Sequence, residues 1–119
     1  MKELKFAEGL LDPTISGGKK LTIRKYRPEA HGFVEGEVFK GVFAEGIIIL
    51  LSAYGNTLIK SLSELIDIEA RLSGYRDAAD ARRGLRDYYP DLEDDDKIAI
   101  IFYEIAKIDG IPVVSPLPE

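Results

Sequence analysis

The spacing of hydrophobic positions along the chain changes twice. Up to residue 60, short apolar runs are separated by turn residues, and this predicts strands over 4–7, 20–26, 38–43, 47–54 and 57–60. Between residues 61 and 89 the apolar positions fall at helical spacing, and Gly74 divides this region into two helices. Alternation returns from Lys97 to Ile108 and predicts a closing strand.

Turn and capping residues set the boundaries of these elements. Asp12-Pro13 predicts a short helix with Asp12 as its N-cap, and Gly17-Gly18 predicts its end. Capping signals also predict the starts of the two later helices, from the box Ser61-x-x-Glu64 and from Asp77. Turn-type composition predicts four further features: a loop at 28–32, positive φ at Gly36, a bulge at Gly41, and a hairpin at 55–56 that pairs 57–60 with the preceding strand.

The order of elements predicts an α+β fold. We expect a small mixed or antiparallel β-barrel of five to six strands, with a short N-terminal helix and two helices before the last strand. With 119 residues, 45% of them hydrophobic, the chain is long enough to bury a core. No repeat or linker interrupts it, so residues 1–119 are expected to form one domain, with 110–119 as an extended tail.

Composition excludes several classes of site. The absence of cysteine excludes disulfides, thiolate zinc sites and cysteine nucleophiles, and the single histidine, His31, excludes a multi-histidine metal site. His31 lies in the predicted loop and is expected to be exposed. We therefore expect no metal and no cofactor. The acidic loop 91–96 lacks calcium-loop spacing and is interpreted as a polar connection.

The sequence also predicts where the protein works. The N-terminus lacks the apolar region of a signal peptide, and the longest apolar run, Gly46–Leu51, is too short to span a bilayer. We expect a cytoplasmic protein that does not contact membranes. The lack of Gln and Trp, together with 31% charged residues, is typical of a thermophilic source. The sequence makes no prediction of oligomeric state.

Charge is distributed unevenly along the chain. The net charge is -5, yet residues 1–30 carry seven Lys/Arg against four Asp/Glu. A local basic surface on an acidic protein favours a specific anionic ligand or a short single strand over nonspecific coating of duplex nucleic acid.

The basic stretch Gly17–Arg24 is the main candidate site. In a strand, Lys20, Thr22 and Arg24 lie on the face opposite Leu21 and Ile23, and Lys19 precedes them at the turn. Arg24 and the lysines would bind phosphate, and the amides of Gly17 and Gly18 would add donors. An aromatic ring, Tyr26 or Phe33, would stack on a base. The alternative interpretation is structural, with Arg24 paired to Glu37 or Glu69 and Thr22 serving only as a strand former.

The pattern Gly17-x-Lys19-x-x-Thr22-x-Arg24, after a short helix and opening a strand, resembles the motif of the ASCH domains, which have a PUA-like barrel. Three later segments occupy comparable places in that family, and the resemblance spans roughly residues 4–107: Gly36-Glu37-Val38, Ser73-Gly74-Tyr75 and Tyr88-Tyr89-Pro90. The resemblance implies a role with RNA or modified nucleosides.

Some bacterial ASCH proteins are small amidohydrolases that deacetylate N(4)-acetylcytidine with a Lys, a Thr and a downstream Glu. Lys19 and Thr22 match the first two, whereas Ser73 stands where the Glu is expected, and Glu69 lies one helical turn earlier.

Three functions follow from these observations. The first is binding of single-stranded RNA, a nucleotide or a nucleoside in a basic cleft around residues 17–24. The second is deacylation of a modified nucleoside, with Thr22 as nucleophile, Lys19 as base and Glu69 as the carboxylate. The third is a protein-interaction module that uses the acidic surface. The helix arginines 82, 83 and 86 are interpreted as a solvated face.

Overall fold

The computed structural model describes residues 1–17 and 19–118 and has an α+β fold built on one curled sheet. Gly18, a predicted ligand-binding residue, lies outside the described residues. In chain order the elements are β1 (Glu3–Phe6), α1 (Leu11–Ser16), β2 (Leu21–Lys25), α2 (Pro28–His31), β3 (Val38–Phe43), β4 (Ile47–Ala53), β5 (Leu58–Ser61), a 3₁₀ turn (Leu62–Glu64), α3 (Asp67–Leu72), α4 (Ala78–Tyr88), β6 (Lys97–Ile105), β7 (Lys107–Ile108), β8 (Ile111–Pro112) and β9 (Val114–Pro116).

The main sheet forms a half-barrel of mixed strands. Its order is β1-β3-β4-β6-β2, with β5 also paired to β6 and β9 to β4. The β1–β3 pair is parallel, and the other pairs of this sheet are antiparallel. The two end strands, β1 and β2, are bridged by a side chain, since Arg24 donates from Nη2 to the carbonyl of Lys5 at 2.7 Å. We call this gap between β1 and β2 the seam.

Two hydrophobic clusters hold the fold together, one on each face of the sheet. The inner cluster includes Phe6, Phe39 and Leu51 and fills the half-barrel. The outer cluster packs α3 and α4 against the sheet and includes Leu21 and Ile23. Strand alternation therefore gives β2 one apolar face toward the helices and one polar face toward the half-barrel, as predicted.

Several predicted boundaries are confirmed. Gly17 ends α1 in the left-handed conformation, with φ 80°, and its N–H bonds to the carbonyl of Thr14. The capping box of Ser61 and Glu64 is formed, and the Asp77 carboxylate accepts from the N–H of Asp80 at 2.8 Å to cap α4. These capping interactions were predictable from the sequence, because each joins residues that lie within three positions of one another.

Other predictions near the N-terminus are wrong. Leu10, and not Asp12, occupies the N-cap position of α1, and no side chain caps this end. Residues 28–31 form the short helix α2 instead of a loop, because Pro28 suits a first helical position. His31 is buried and not exposed, and its Nδ1 accepts from the N–H of Arg27 at 3.1 Å.

Two predictions about strands are also wrong. Gly41 marks no bulge, since the β3–β4 register is continuous; its missing Cβ would lie 2.8 Å from Leu51 Cδ1. The segment 58–61 pairs with residues 97–100 of β6 and not with β4. β4 itself pairs with β6 further along, where residues 51–53 lie opposite residues 103–105. Two segments of the tail predicted over 110–119 also pair as strands, since β8 forms a hairpin with β7 and β9 pairs with β4.

The predicted helix over 61–72 is interrupted. Leu65 and Ile66 are extended between the 3₁₀ turn and α3, so that α3 begins only at Asp67. The Glu69 carboxylate accepts from the N–H of Ile66 at 3.1 Å and caps this new start. No helix within residues 1–17 and 19–118 has the length and apolar content that crossing a bilayer requires.

Candidate functional site

A cavity of about 800 Å³ opens along the seam. β1 contributes Lys5 and Phe6, and β2 contributes Thr22, Ile23 and Arg24. The turn between α3 and α4 and the C-terminal half of α4 form the opposite wall. We call this space the seam cavity.

The seam leaves main-chain groups of both end strands without a strand partner. The bonds from Tyr26 N to Lys97 O and from Tyr103 N to Lys20 O show that even-numbered β2 residues direct their main-chain groups toward β6. The main-chain groups of Ile23 therefore face the seam. On β1 the carbonyls of Lys2, which precedes the strand, and of Phe6 accept from N–H groups of β3 and of Ala44, which follows β3, so even-numbered residues direct their main-chain groups toward β3. The main-chain groups of Lys5 therefore face the seam.

Arg24 crosses the seam and organises the cavity. Its Nε donates to Thr22 Oγ1 at 3.3 Å, its Nη2 donates to the Lys5 carbonyl, and its guanidinium lies 5.0 Å from the centre of the Phe6 ring. Burial lowers the pKa of Arg24, but a guanidinium keeps its charge in proteins. The positive charge of Arg24 is therefore held at the cavity wall.

The expected ion pairs of Arg24 do not form. Glu37 pairs with Lys2 at 2.9 Å, and Glu69 pairs with Lys60 at 2.9 Å. Within the described residues, no carboxylate lies at ion-pair distance from Arg24. Its charge is thus not neutralised by the protein and can act on a ligand.

Lys19 is the most unusual side chain of the site, because it is an ammonium that is only 7% exposed. Its Nζ donates to the Leu21 carbonyl at 2.9 Å, to the Ser73 carbonyl at 3.1 Å and to Ser73 Oγ at 3.2 Å. Burial, and then the charge of Arg24, lower the pKa of Lys19 from 10.5 to about 8. The amine is therefore still mainly protonated at neutral pH, but close to the point at which it titrates.

Thr22 is buried, with 6% of its surface exposed. Its oxygen accepts from Arg24 Nε, so its own proton is free for donation to another group. Thr22 and Lys19 both line the seam cavity. The structure thus brings together three of the predicted residues, Lys19, Thr22 and Arg24.

Three tyrosines on the opposite wall were not predicted as site residues. Tyr75, Tyr88 and Tyr89 line the cavity, and Gly84 lets Tyr75 pack closely, since a Cβ there would lie 2.5 Å from its Cε1. Tyr75 precedes α4, whereas Tyr88 and Tyr89 lie at its C-terminal end, so spacing along the sequence does not indicate that they share a cavity. Lys5 was also missed, because its strand is distant in sequence.

Several predicted residues lie elsewhere. The Glu69 carboxylate is turned to Lys60 and Ile66 and does not line the seam cavity, where Ser73 stands instead. Tyr26 packs on the inner cluster and lines neither of the two cavities described here. Phe33, the other candidate for stacking, is buried beneath Lys2. Gly17 and Lys20 line a second cavity.

Arg83 and Arg86 of α4 have partners within the protein, whereas Arg82 Nη1 is buried without a hydrogen-bond partner among the described residues. Arg86 donates to the Leu92 carbonyl at 3.1 Å and to Asp94 at 2.6 Å, and Arg83 pairs with Asp80 at 3.5 Å. Asp87 is the one carboxylate that lines the seam cavity in the part of the chain that is described. No group of three or more His, Asp or Glu side chains among the described residues is arranged to hold a metal ion.

The comparisons with known proteins agree with the fold. No protein-family model matches the sequence, and no curated protein matches it. Among solved structures, the crystal structure of protein EF3133 from Enterococcus faecalis V583, of family DUF984, superposes with a TM-score of 0.66 at 13% identity. The match covers 89% of this chain and 76% of that chain. At this identity the likeness shows a shared fold.

Proposed function

We propose that the seam cavity binds a nucleotide or a short single-stranded RNA, as the resemblance of residues 17–24 to the ASCH motif implies. The supporting observation is the charge of the cavity. Among the described residues, its lining carries three cations, Lys5, Lys19 and Arg24, against one carboxylate, Asp87, in a protein whose net charge is -5. On an acidic protein, an anion is attracted by the local positive charge of this cavity and not by the net charge of the molecule.

The neighbouring groups suit the other parts of a nucleotide. Tyr88 is 65% exposed at the cavity wall and offers an aromatic face for base stacking. Arg24 offers its charge to phosphate, and Thr22 offers its free proton to a base or ribose oxygen. The volume of about 800 Å³ lies within the range of small-molecule sites.

Direct binding tests this proposal. Affinity for a short single-stranded RNA should fall as salt rises, and Arg24→Gln should weaken it by about tenfold or more. The matched control is Arg83→Gln, because Arg83 is exposed on α4 and pairs only with Asp80. If neither RNA nor nucleotides bind, or if both variants lose affinity equally, the seam cavity is not the binding site.

A second candidate function is amide hydrolysis on an acylated nucleoside such as N(4)-acetylcytidine. The observation that favours it is the lowered pKa of Lys19, about 8, in the same cavity as the Thr22 hydroxyl. A neutral Lys19 amine would accept the Thr22 proton as the hydroxyl oxygen attacks the acyl carbon, and would return it to the exocyclic nitrogen of the base as the acyl C–N bond breaks. Water would then hydrolyse the acyl-threonine, releasing acetate and restoring the Thr22 hydroxyl. Against it, Glu69 lies outside the cavity, and Lys19 is held by main-chain carbonyls and Ser73.

The pH dependence separates the two functions. Hydrolysis needs the neutral amine, so its rate should rise as pH increases through about 8. Binding of phosphate by the ammonium should instead weaken over the same range. Release of acetate from N(4)-acetylcytidine, abolished in Thr22→Val and retained in Thr22→Ser, would establish the enzyme; no release at any pH between 7 and 9 would exclude it.

A further inference from the structure

A second cavity, of about 740 Å³, adjoins the seam cavity. Lys19 lines both, and α1 contributes Pro13 to the first and Thr14 to the second. Phe6 of the seam cavity packs edge-on against Tyr103 of the second, with ring centres 5.7 Å apart. The two cavities are therefore separated by little more than one layer of side chains.

Tyr103 gives this second cavity an unused hydrogen-bond donor. The residue is only 4% exposed, and its buried hydroxyl has no hydrogen-bond partner among the described residues. Burial raises the pKa of Tyr103 to about 12, and the nearby Thr14 hydroxyl and the charge of Arg24 oppose this shift, so the phenol remains a donor at neutral pH. Thr14 donates to the Leu10 carbonyl at 2.8 Å and its oxygen can still accept, but the two hydroxyls are not in hydrogen-bond geometry.

A buried hydroxyl without a partner is unfavourable in a folded protein, and such groups are uncommon. Among the described residues no acceptor is in hydrogen-bond geometry with the Tyr103 hydroxyl, which points to an acceptor from outside the protein. Because the residue lines the second cavity, the acceptor would belong to a ligand in that space.

The rest of the second cavity repeats the chemistry of the first. Lys20 and Lys107 are exposed and carry positive charge at its edge, against one carboxylate of the described chain, Glu104. Tyr54 is 65% exposed and presents an aromatic ring. Cations suit a phosphate, an exposed ring suits the face of a base, and the Tyr103 hydroxyl suits an oxygen or ring nitrogen at a base edge.

We infer that the second cavity holds the neighbouring nucleotide of the same strand, with Tyr54 stacked on its base and Tyr103 donating to the base edge. The ligand is then single-stranded RNA of at least two nucleotides and not a free nucleoside. This inference rests on the proposed function of the seam cavity. Lys19 lies between the two nucleotides, beside the link that joins them.

Comparison of ribodinucleotides with mononucleotides tests the inference. Dissociation constants of the full-length protein are measured by calorimetry for the four nucleoside 5′-monophosphates and the sixteen ribodinucleotides. The tightest dinucleotide should bind about tenfold or more tightly than the tightest mononucleotide, because it adds a stacked base.

Matched variants assign the gain to the second cavity. Tyr103→Phe keeps the ring that packs on Phe6 and removes only the hydroxyl, so it should weaken dinucleotide binding severalfold and leave mononucleotide binding within twofold. Tyr54→Ala should do the same, whereas Tyr88→Ala, in the seam cavity, should weaken both. Tyr26→Phe is the control, because Tyr26 lines neither of these two cavities.

The failures of the inference and of the proposed function are distinguishable. If mononucleotides bind but dinucleotides bind no better, or if Tyr103→Phe weakens both ligands equally, the second subsite is excluded and the proposed function stands. If no mononucleotide and no dinucleotide binds, both fail.

Discussion

The side of the half-barrel where β3 pairs with β4 differs sharply from the side where β1 faces β2. β3 and β4 are joined by a continuous register of six residue pairs, from Val38–Ser52 to Phe43–Ile47. Across the seam, the bond from Arg24 to the Lys5 carbonyl joins strands that do not pair. Paired strands satisfy each other's main-chain hydrogen-bonding groups. At the seam, main-chain groups have no strand partner, and a cavity is open to a ligand.

The side chains differ in the same way. The paired side buries Phe39 and Leu51, which are inaccessible to solvent and have no polar group to satisfy. The seam buries an ammonium and a hydroxyl, those of Lys19 and Thr22. Burial of charge lowers the free energy of unfolding, so the seam is less stabilising than the paired side but provides a positive, preorganised site. Three substitutions test this division, in order of decreasing effect.

The largest effect is expected on the paired side. Phe39→Ala should lower the free energy of unfolding by about 3–5 kcal/mol, because it opens a cavity beneath Phe33, whose ring centre is 4.5 Å away. Phe39→Leu, which fills more of the space, should cost less. Denaturant titration measures both changes.

The division between the two sides also predicts that Phe39→Ala leaves nucleotide affinity per folded molecule unchanged, because Phe39 does not line the seam cavity. Calorimetry under conditions where the variant is folded checks this point. A loss of affinity as large as that of Arg24→Gln would show that the two sides are not separable.

The second effect concerns Lys19 and pH. The unfolded chain keeps the Lys19 proton up to pH about 10.5, whereas the folded protein releases it at about 8. The unfolded state therefore binds more protons between these values, and stability rises with pH across them by up to about 3 kcal/mol. Denaturant titration at pH 7.5, 9 and 10 should show this rise in the wild type relative to Lys19→Met. Equal pH profiles for the two proteins would mean that Lys19 carries no buried charge.

The smallest effect concerns the bridge across the seam. Arg24→Lys retains the charge but cannot hold both Thr22 Oγ1 and the Lys5 carbonyl, so it should cost about 1 kcal/mol of stability. Hydrogen exchange should quicken in β1 and β2 and stay unchanged in β3 and β4. Arg83→Lys, on the exposed face of α4, is the control. Equal changes in both strand pairs would contradict a local bridge.

The fold was largely predictable where partners are close in sequence. The alternating strands, the capping box at Ser61 and the cap at Asp77 depend on residues within a few positions of one another. The pairing of β5 with β6 was not predictable, because residues 58 and 100 meet only through the curvature of the sheet. The prediction that His31 is exposed failed for the same reason, since distant segments set the environment of this side chain.

The candidate site was predictable in part. The glycine-lysine-threonine-arginine spacing identified Lys19, Thr22 and Arg24, because strand alternation places the last two on one face. Glu69 was chosen by helical spacing from Ser73, but the break at Leu65 and Ile66 makes it the cap of α3 and turns it to Lys60. Tyr75, Tyr88 and Tyr89 reach the cavity through the packing of α4, which sequence spacing alone does not specify.

The most direct test of the account is a map of the main-chain amide signals during titration with a mixture of the four nucleoside 5′-monophosphates. If the seam is the binding site, shifts should concentrate in residues 5–7, 22–24 and 73–75, and the β3–β4 pair should be unaffected. Saturable shifts confined to β3 and β4, or to the acidic loop 91–96, would contradict it, as would the absence of any shift.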